Sequence, residues 1–304
     1  MNHFAHLYAY RWAIYTIVSR ACEAAESLMF LSLVLLDNKR FKVNFCKTTI
    51  VLVCSLILSL QGLAQVIPPG LGKTNAASWF AFGIQQDLDD IKKWSSTTYV
   101  GIARVSDPDN YNLLQKHSIF ILNQEFKNKF AKNWEYSLAL SYRNQRNYAD
   151  SAPYDLDDPS TKQEFRLYGR LSRIFKTSFL EITPTFRQEV QKYFTSDFGA
   201  YPENMRLRSR FRVKFKAPLT KDKKHSISLY SEQLFSTSLS SEGDKDWSRF
   251  EYKDSRFSLY YTLSPEHINW DFNVGYMNNL IGKSNASSTH YLGVDVIWKN
   301  PFNR

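Results

Sequence analysis

Cysteine, long apolar runs and amphipathic helices are all scarce in this chain of 304 residues. The three cysteines, Cys22, Cys46 and Cys54, lie in the N-terminal region, which excludes disulfides within the rest of the chain. The apolar run from Ile50 to Leu60 is shorter than the roughly 20 residues that a membrane-spanning helix needs. No later stretch has the apolar period of a useful amphipathic helix. A helical bundle and a helical membrane protein are therefore excluded.

Motifs for cofactors and metal ions are missing as well. The sequence has no glycine-rich phosphate loop, no paired histidines and no cysteine cluster. The acidic stretches "DLDD" and "YDLDDPS" lack the full ligand spacing of a calcium loop. We therefore expect no cofactor and no metal site.

The N-terminal region has the layout of a secretory signal peptide. Basic residues precede the apolar run, and a small-x-small triplet ends at Ala64. We expect residues 39–64 to be the signal, with cleavage before Gln65, and residues 65–304 to form the mature domain. Residues 1–38 are expected to be upstream sequence translated from a mis-assigned start, the alternative being a real helical extension.

From Ser78 onward the sequence divides into eleven two-faced segments of about ten residues, separated by polar breaks. The period of two indicates strands, because successive strand residues point to opposite faces. In the fourth segment the apolar face consists of Trp134, Tyr136, Leu138, Leu140 and Tyr142. The opposite face consists of Glu135, Ser137, Ala139, Ser141 and Arg143.

The stretch "MRLRSRFRVKFKAPL" shows the same period with basic residues. They stand at every second position, namely Arg206, Arg208, Arg210, Arg212, Lys214 and Lys216. A helix would spread these charges around its axis, whereas a strand places them on one face. Disordered basic tails are poor in bulky apolar residues, which this stretch contains. We therefore predict a two-faced strand and no nucleic-acid partner, despite a formal net charge of +10.

Two all-β architectures are compatible with such strands, a soluble sandwich and a membrane barrel. Eleven residues at about 3.3 Å each and a tilt of about 40° give nearly the height of an apolar membrane band. Short and longer breaks alternate along the chain, as periplasmic turns and outer loops do in barrels. Aromatic residues also gather near segment ends, where interfacial girdles would lie: Trp79, Trp134, Trp247, Tyr291 and Trp298. These features favour an antiparallel transmembrane β-barrel in the outer membrane of a Gram-negative bacterium.

The number of strands does not follow directly from the number of segments. Eleven segments are counted, but single-chain bacterial barrels normally have an even number of strands. We therefore expect twelve strands, with ten as the next choice.

In such a barrel the basic face lines the lumen, where buried charges need water and acidic partners. Glu189 and Glu232 are the expected partners, and Glu164, Glu181 and Glu251 are also expected to face the ladder. The whole expected lumen network comprises Arg166, Arg170, Glu181, Arg187, Glu189, Arg206, Arg208, Arg210, Arg212, Lys214, Glu232 and Glu251.

Certain motifs resemble a known family. They are the strand with Trp79, the strand from Glu164 through Arg166, "MRLRSRFRVKF" followed by "APL", and "LYSEQLF" with Glu232. Together they resemble the outer-membrane barrel family called domain of unknown function 2490, over roughly residues 75–300. The resemblance implies a fold and a location but no reaction, and the extension before residue 39 departs from the family pattern.

Three functional classes follow. The first is a non-enzymatic outer-membrane barrel, either a narrow pore or a structural or interaction barrel, with membrane lipids and the barrel-assembly machinery as partners. The second is a lipid-modifying enzyme of the lipase or deacylase kind, for which Ser288 and His290 are the candidate catalytic pair. The third is a secreted soluble sandwich. The residues do not identify a solute or a protein partner.

Overall fold

The computed structural model describes residues 74–241, 246–283 and 286–302. The expected signal peptide, its cleavage site between Ala64 and Gln65, and the extension 1–38 lie outside the described residues. Within those ranges, no helix is long and apolar enough to cross a membrane.

The described part of the chain is all-β. Alternating apolar and polar residues, rich in aromatic and β-branched side chains, favour strands along its whole length. The strands β1 to β12 are Ala76–Asp87, Trp94–Val105, Lys116–Ala131, Trp134–Tyr148, Leu156–Arg173, Phe175–Lys176, Glu181–Phe194, Ala200–Pro218, His225–Ser240, Glu251–Leu263, Trp270–Ile281 and Ser287–Lys299.

Eleven of these strands form a closed barrel. Consecutive strands pair from β1 to β5 and from β7 to β12, β5 pairs with β7, and β12 pairs with β1. The two-residue strand β6 follows β5 after Ile174 and pairs with the first residues of β7. Strand β6 is therefore not one of the strands that close the barrel.

This closure corrects two expectations. The preference for a barrel of twelve strands, or else ten, is wrong, although the count of eleven two-faced segments is confirmed. The expectation of antiparallel pairing is also wrong at the seam, where β1 and β12 are parallel, with Ala76 opposite His290 and Gln85 opposite Lys299. Because eleven alternating strands leave the first and last running in the same direction, only a parallel pair can close the barrel.

The connections define two ends of the barrel. The short-turn end carries the connections 88–93, 132–133, 174–180, 219–224 and 264–269. The long-loop end carries 106–115, 149–155, 195–199, 241–250 and 282–286. The alternation of lengths is weaker than expected, because β5 and β8 continue into polar stretches that read as loops in the sequence.

In the turn after β8, hydrogen bonds from the Thr220 hydroxyl and the Lys224 backbone lower the pKa of Asp222 to about 2.

The two faces of the wall differ sharply in chemistry. Leu138 and Leu167, on the outer face of neighbouring strands, are 59% and 57% exposed. On the inner face, Glu189 is 0% exposed and Arg256 is 2% exposed. The face assignments made for the fourth segment are confirmed. The barrel is therefore apolar outside and charged inside, the reverse of a water-soluble sandwich.

Two of the aromatic residues assigned to interfacial girdles lie inside the barrel instead. Trp79 is 0% exposed and Tyr291 is 1% exposed, and both pack in an inward apolar cluster. Trp79 stands beside Phe80, so aromatic residues occupy both faces of β1 and the pattern alone does not decide which ring points inward. Small residues on β2 make the room: Ala103 is opposite Trp79, and Gly101 lies under its ring.

Gly101→Ala is expected to destabilise the barrel by about 1–3 kcal/mol, the usual cost of overpacking an interior. A Cβ at residue 101 would lie 2.3 Å from Trp79 Cη2, so the indole must move. Gly169→Ala is the matched control, because its Cβ would meet Leu138 at an ordinary 3.5 Å. Urea unfolding of both variants checks this, and equal stabilities would contradict the position of the Trp79 ring.

Candidate functional site: the charged lumen

The basic ladder, defined as the six basic side chains from Arg206 to Lys216 on β8, points into the barrel. Phe211, between two of them, is 53% exposed on the outer face, whereas Arg210 and Arg212 are buried. Lys214 is 1% exposed, opposite Thr183 and Tyr230. The alternation of this strand therefore concentrates positive charge on one wall of the lumen.

The neighbouring strands each bring a glutamate to the ladder. Glu189 on β7 is opposite Arg208, and Glu232 on β9 is opposite Arg212. Arg210 lies between these two pairs and contacts both glutamates. Its Nε is 2.5 Å from Glu189 Oε1, and its Nη1 donates a hydrogen bond of 3.0 Å to Glu232 Oε1. Arg210 thus links three adjacent strands through charge.

Glu189 is the centre of this arrangement. Besides Arg210, its carboxylate has Arg187 Nε at 2.7 Å and Arg166 Nε at 3.5 Å. Gln191 Nε2 donates a hydrogen bond of 2.7 Å to the second oxygen. The N–H directions of Arg187 Nε and Arg210 Nε miss the carboxylate oxygen, so these two contacts are ion pairs without an aligned hydrogen bond. One fully buried carboxylate therefore lies within ion-pair distance of three guanidinium groups.

The ion pairs continue around the wall on both sides of Glu189. On β5, Arg166 Nε donates to Glu164 at 2.6 Å, and Glu164 lies 3.7 Å from Arg143 Nη1 on β4. On the other side, Glu232 lies 3.7 Å from Arg256 Nη1 on β10. Arg256 Nε also donates to Asp254 at 2.9 Å. We call this set the arginine–glutamate network; it runs across β4, β5, β7, β8, β9 and β10.

A second charged group lies nearer the short-turn end. Arg170 Nη1 is 3.1 Å from both oxygens of Glu125, and the Ser137 hydroxyl donates to Glu125 Oε1 at 2.6 Å. The ring of Tyr168 contacts two cations, with Arg187 Cζ at 3.6 Å and Arg170 Cζ at 5.0 Å from its centre. Such cation–π contacts strengthen when they are shielded from water.

The remaining predicted residues lie towards the two ends of the lumen. Arg206, near the long-loop end, contacts Glu203 through Nε at 2.8 Å and Nη2 at 2.7 Å. Glu181, near the short-turn end, lies 3.6 Å from Lys176. The structure does not bring Glu251 to the ladder. It precedes a β-bulge in β10 and pairs with Lys253 at 2.7 Å and with Lys283 at 3.3 Å.

Aromatic and apolar side chains also fill the lumen, both on strands of the network and on the remaining strands. Tyr168, Tyr230 and Tyr260 are at most 2% exposed, and Tyr230 meets Tyr260 edge to face at 5.8 Å between ring centres. Trp79 and Tyr291 fill the same interior beside β1, β2 and β3. The arginine–glutamate network and these rings together occupy the middle of the barrel.

Sequence reasoning missed several charged residues of the lumen, including Arg143, Glu125, Glu203 and Arg256. The signal was present for Arg143, Glu125 and Arg256, because each of them lies inside an alternating segment, whereas Glu203 lies in a stretch that reads as a polar break. The alternation predicts which side chains point inward, but not which of them meet.

The candidate catalytic pair is not assembled. Ser288 and His290 both lie near the long-loop end of β12, two residues apart on the outward face. The Ser288 hydroxyl accepts a hydrogen bond of 2.7 Å from Asn278, while His290 Nδ1 is 2.6 Å from the Tyr276 hydroxyl. Each group therefore has its own partner on β11, and neither activates the other.

Candidate metal sites are also absent from the described ranges. No group of three or more histidine, cysteine, aspartate or glutamate side chains there could hold a metal ion. Glu164, Glu189 and Glu232 are instead surrounded by guanidinium groups, which compete with any cation. The chemistry that this interior supports is ion pairing and the binding of anions.

A comparison with models of protein families matches most of the described chain. The family model described as "Protein of unknown function (DUF2490)" matches residues 76–290, which include every strand of the barrel in whole or in part. No curated protein matches the chain.

Proposed function

The chain belongs to the DUF2490 family, and we propose that the protein is a non-enzymatic outer-membrane β-barrel whose lumen is closed by its own side chains. The proposed role is structural or interactive, with the lipids of the outer membrane of a Gram-negative bacterium and the barrel-assembly machinery as partners.

The observation that carries this proposal is the inverted distribution of polarity. An apolar belt covers the outside, with Leu138, Leu140 and Leu167 all more than half exposed, whereas Glu189 is completely buried inside. Soluble proteins rarely expose so large a contiguous apolar surface. A lipid environment removes that difficulty, because the outward band of a membrane barrel is apolar and its interior polar.

Aromatic side chains at the short-turn end support the same placement. Trp298 is stacked on Trp270 at 5.4 Å between ring centres, and Trp94 meets Tyr136 edge to face at 6.0 Å. Rings of this kind, apolar with one polar group, are favoured at the boundary between lipid and water. The short-turn end is proposed to face the periplasm.

The contents of the lumen favour a closed barrel over a narrow pore. The arginine–glutamate network and buried tyrosine rings occupy the side formed by β4, β5 and β7 to β10, and the apolar cluster around Trp79 fills the side formed by β1, β2, β3, β11 and β12. Opening a path would leave buried guanidinium groups without their carboxylate partners, which is costly. A structural or interaction barrel therefore accounts for these residues better than a conducting channel.

Export is proposed to remove the chain up to Ala64, and this gives a direct test. The protein extracted from cells with detergent is expected in the outer-membrane fraction, with an amino terminus at Gln65 or within a few residues of it. Its migration on a gel is expected to change on heating, as that of folded barrels does. A soluble protein, or a mature chain that retains Cys46 and Cys54, would contradict the proposal.

The same purified protein tests the closed lumen. After reconstitution into planar bilayers it is expected to give no steady ion conductance. A stable conductance would replace the closed barrel with a pore while leaving the membrane placement standing.

A further inference from the structure

We propose that a cavity in the short-turn half of the lumen is a binding site for a small free oxoanion of the size of phosphate. The site lies inside the barrel and is independent of where the barrel resides. The inference therefore goes beyond the proposed function and fails or succeeds separately from it.

The cavity has a volume of about 90 Å³. The cavity extends close to the short-turn end of the barrel. Among its lining residues, Glu135 is one residue from the start of β4 and Thr183 is two residues from the start of β7, and both strands start at that end. A cavity of roughly 10–15 Å³ suffices for one water molecule, so this one has room for an ion of several heavy atoms. Its small size excludes large organic ligands.

Positive charge predominates in the lining. Five basic side chains line the cavity, namely Lys127, Arg170, Arg187, Arg210 and Arg212. Three acidic side chains line it, namely Glu125, Glu135 and Glu232. A concave site with an excess of positive charge and low-dielectric walls concentrates anions.

The acidic side chains are already engaged. Glu232 is shared by Arg210 at 3.0 Å and Arg256 at 3.7 Å. Glu125 holds Arg170 at 3.1 Å. Glu135 lies 3.8 Å from Lys127. None of these carboxylates is therefore left over for the fifth basic group, Arg212.

Arg212 is the basic side chain of this lining that forms no ion pair, although Glu232 lies opposite it on the neighbouring strand. It is 8% exposed, and its Nε has no hydrogen-bond partner. In the part of the chain that the structure describes, no carboxylate forms an ion pair with it. A guanidinium group offers five N–H donors in a planar fork that matches the oxygens of a carboxylate or phosphate. An anion in the cavity would give Arg212 an ion pair and a hydrogen-bond acceptor.

A second unpartnered donor lines the same cavity. Thr183 is 2% exposed, and its hydroxyl has no hydrogen-bond partner. Thr183 and Thr185 both point inward from β7, and Thr185 is directly opposite Arg212. Buried polar groups without partners are uncommon in folded proteins. Five of them surround this cavity, on Arg170, Thr183, Arg187, Arg210 and Arg212, which points to a missing ligand. Several donors converging from different strands suit an ion with several oxygens better than chloride.

Titration of the purified full-length barrel in detergent with inorganic phosphate tests the proposal. At constant ionic strength, set with sodium chloride, phosphate is expected to raise the unfolding temperature in a saturable manner. Arg212→Gln is expected to weaken phosphate affinity at least tenfold. Thr183→Val, which removes one donor and no charge, is expected to weaken it about threefold and serves if Arg212→Gln does not fold.

Lys224→Gln is the control for general electrostatics. It removes one positive charge at the same end of the barrel, where Lys224 pairs with Asp222 and Glu266 on the surface. Its phosphate affinity is expected to stay within twofold of the parent protein. The proposal is overturned if phosphate and chloride act alike at equal ionic strength. Equal losses of affinity in Lys224→Gln and Arg212→Gln would overturn it as well.

Discussion

Glu189→Gln is expected to lower the free energy of unfolding by about 3–5 kcal/mol, the range for removing one partner of a buried ion pair. The Glu189 carboxylate is 0% exposed and lies within ion-pair distance of Arg166, Arg187 and Arg210. Glutamine keeps the shape of the side chain and removes its charge. Three guanidinium groups then share one neutral amide in an interior that offers little water to compensate them.

The control for this substitution is Glu251→Gln. Glu251 also pairs with two basic residues, Lys253 and Lys283, but its side chain is 38% exposed at the rim. Exposed ion pairs contribute about 0–1 kcal/mol to stability, so Glu251→Gln should lower the free energy of unfolding by an amount in that range. Urea unfolding in detergent, followed by tryptophan fluorescence, measures both variants. Losses of equal size would mean that the lumen is wet enough to solvate its own charges.

The second large effect concerns the outer face. Leu140→Arg is expected to destabilise the barrel in lipid bilayers by about 2–4 kcal/mol, the cost of an arginine near the bilayer midplane of such barrels. Leu140 lies near the middle of β4 and is 58% exposed. The arginine side chain would have to place its charge in hydrocarbon or bend towards a distant interface.

Leu114→Arg is the matched control for Leu140→Arg. Leu114 is 57% exposed in the connection between β2 and β3 at the long-loop end. Substitutions at exposed sites in water usually change stability by less than about 0.5 kcal/mol. In lipid vesicles the two variants should differ by at least about 1.5 kcal/mol, the gap between that value and the lower bound for the midplane. Equal stabilities would indicate that both leucines face water.

Local pattern was enough to predict the strands and their faces. The eleven alternating segments correspond to the eleven barrel strands, and Trp134 to Arg143 divide between the two faces as expected. The reason is that the period of two is a property of a few neighbouring residues. It does not depend on which strand lies alongside.

Closure and pairing could not be predicted in the same way. Whether β1 meets β12 depends on residues more than 200 positions apart, such as Ala76 and His290. The general preference for even strand numbers favoured twelve strands, although the sequence contains eleven alternating segments. Glu251 was expected to face the ladder, but a bulge and the strand register place it at the rim.

Trp79 shows a different limit of sequence reasoning. Both Trp79 and Phe80 are large and apolar, so hydrophobicity does not say which one turns inward. The decision comes from β2, where Ala103 and Gly101 leave space for the indole. Packing partners on another strand thus determine what the local pattern leaves open.

The most direct test of the membrane barrel is the environment of its outer face. Spin labels attached in reconstituted vesicles to Leu138→Cys, Leu140→Cys and Leu114→Cys, with the native cysteines absent, report access to oxygen and to a water-soluble nickel complex. All three leucines are 57–59% exposed, so geometry alone does not separate them. The account predicts high oxygen and low nickel access at 138 and 140, and the reverse at 114. High nickel access at all three positions would contradict a membrane-spanning barrel.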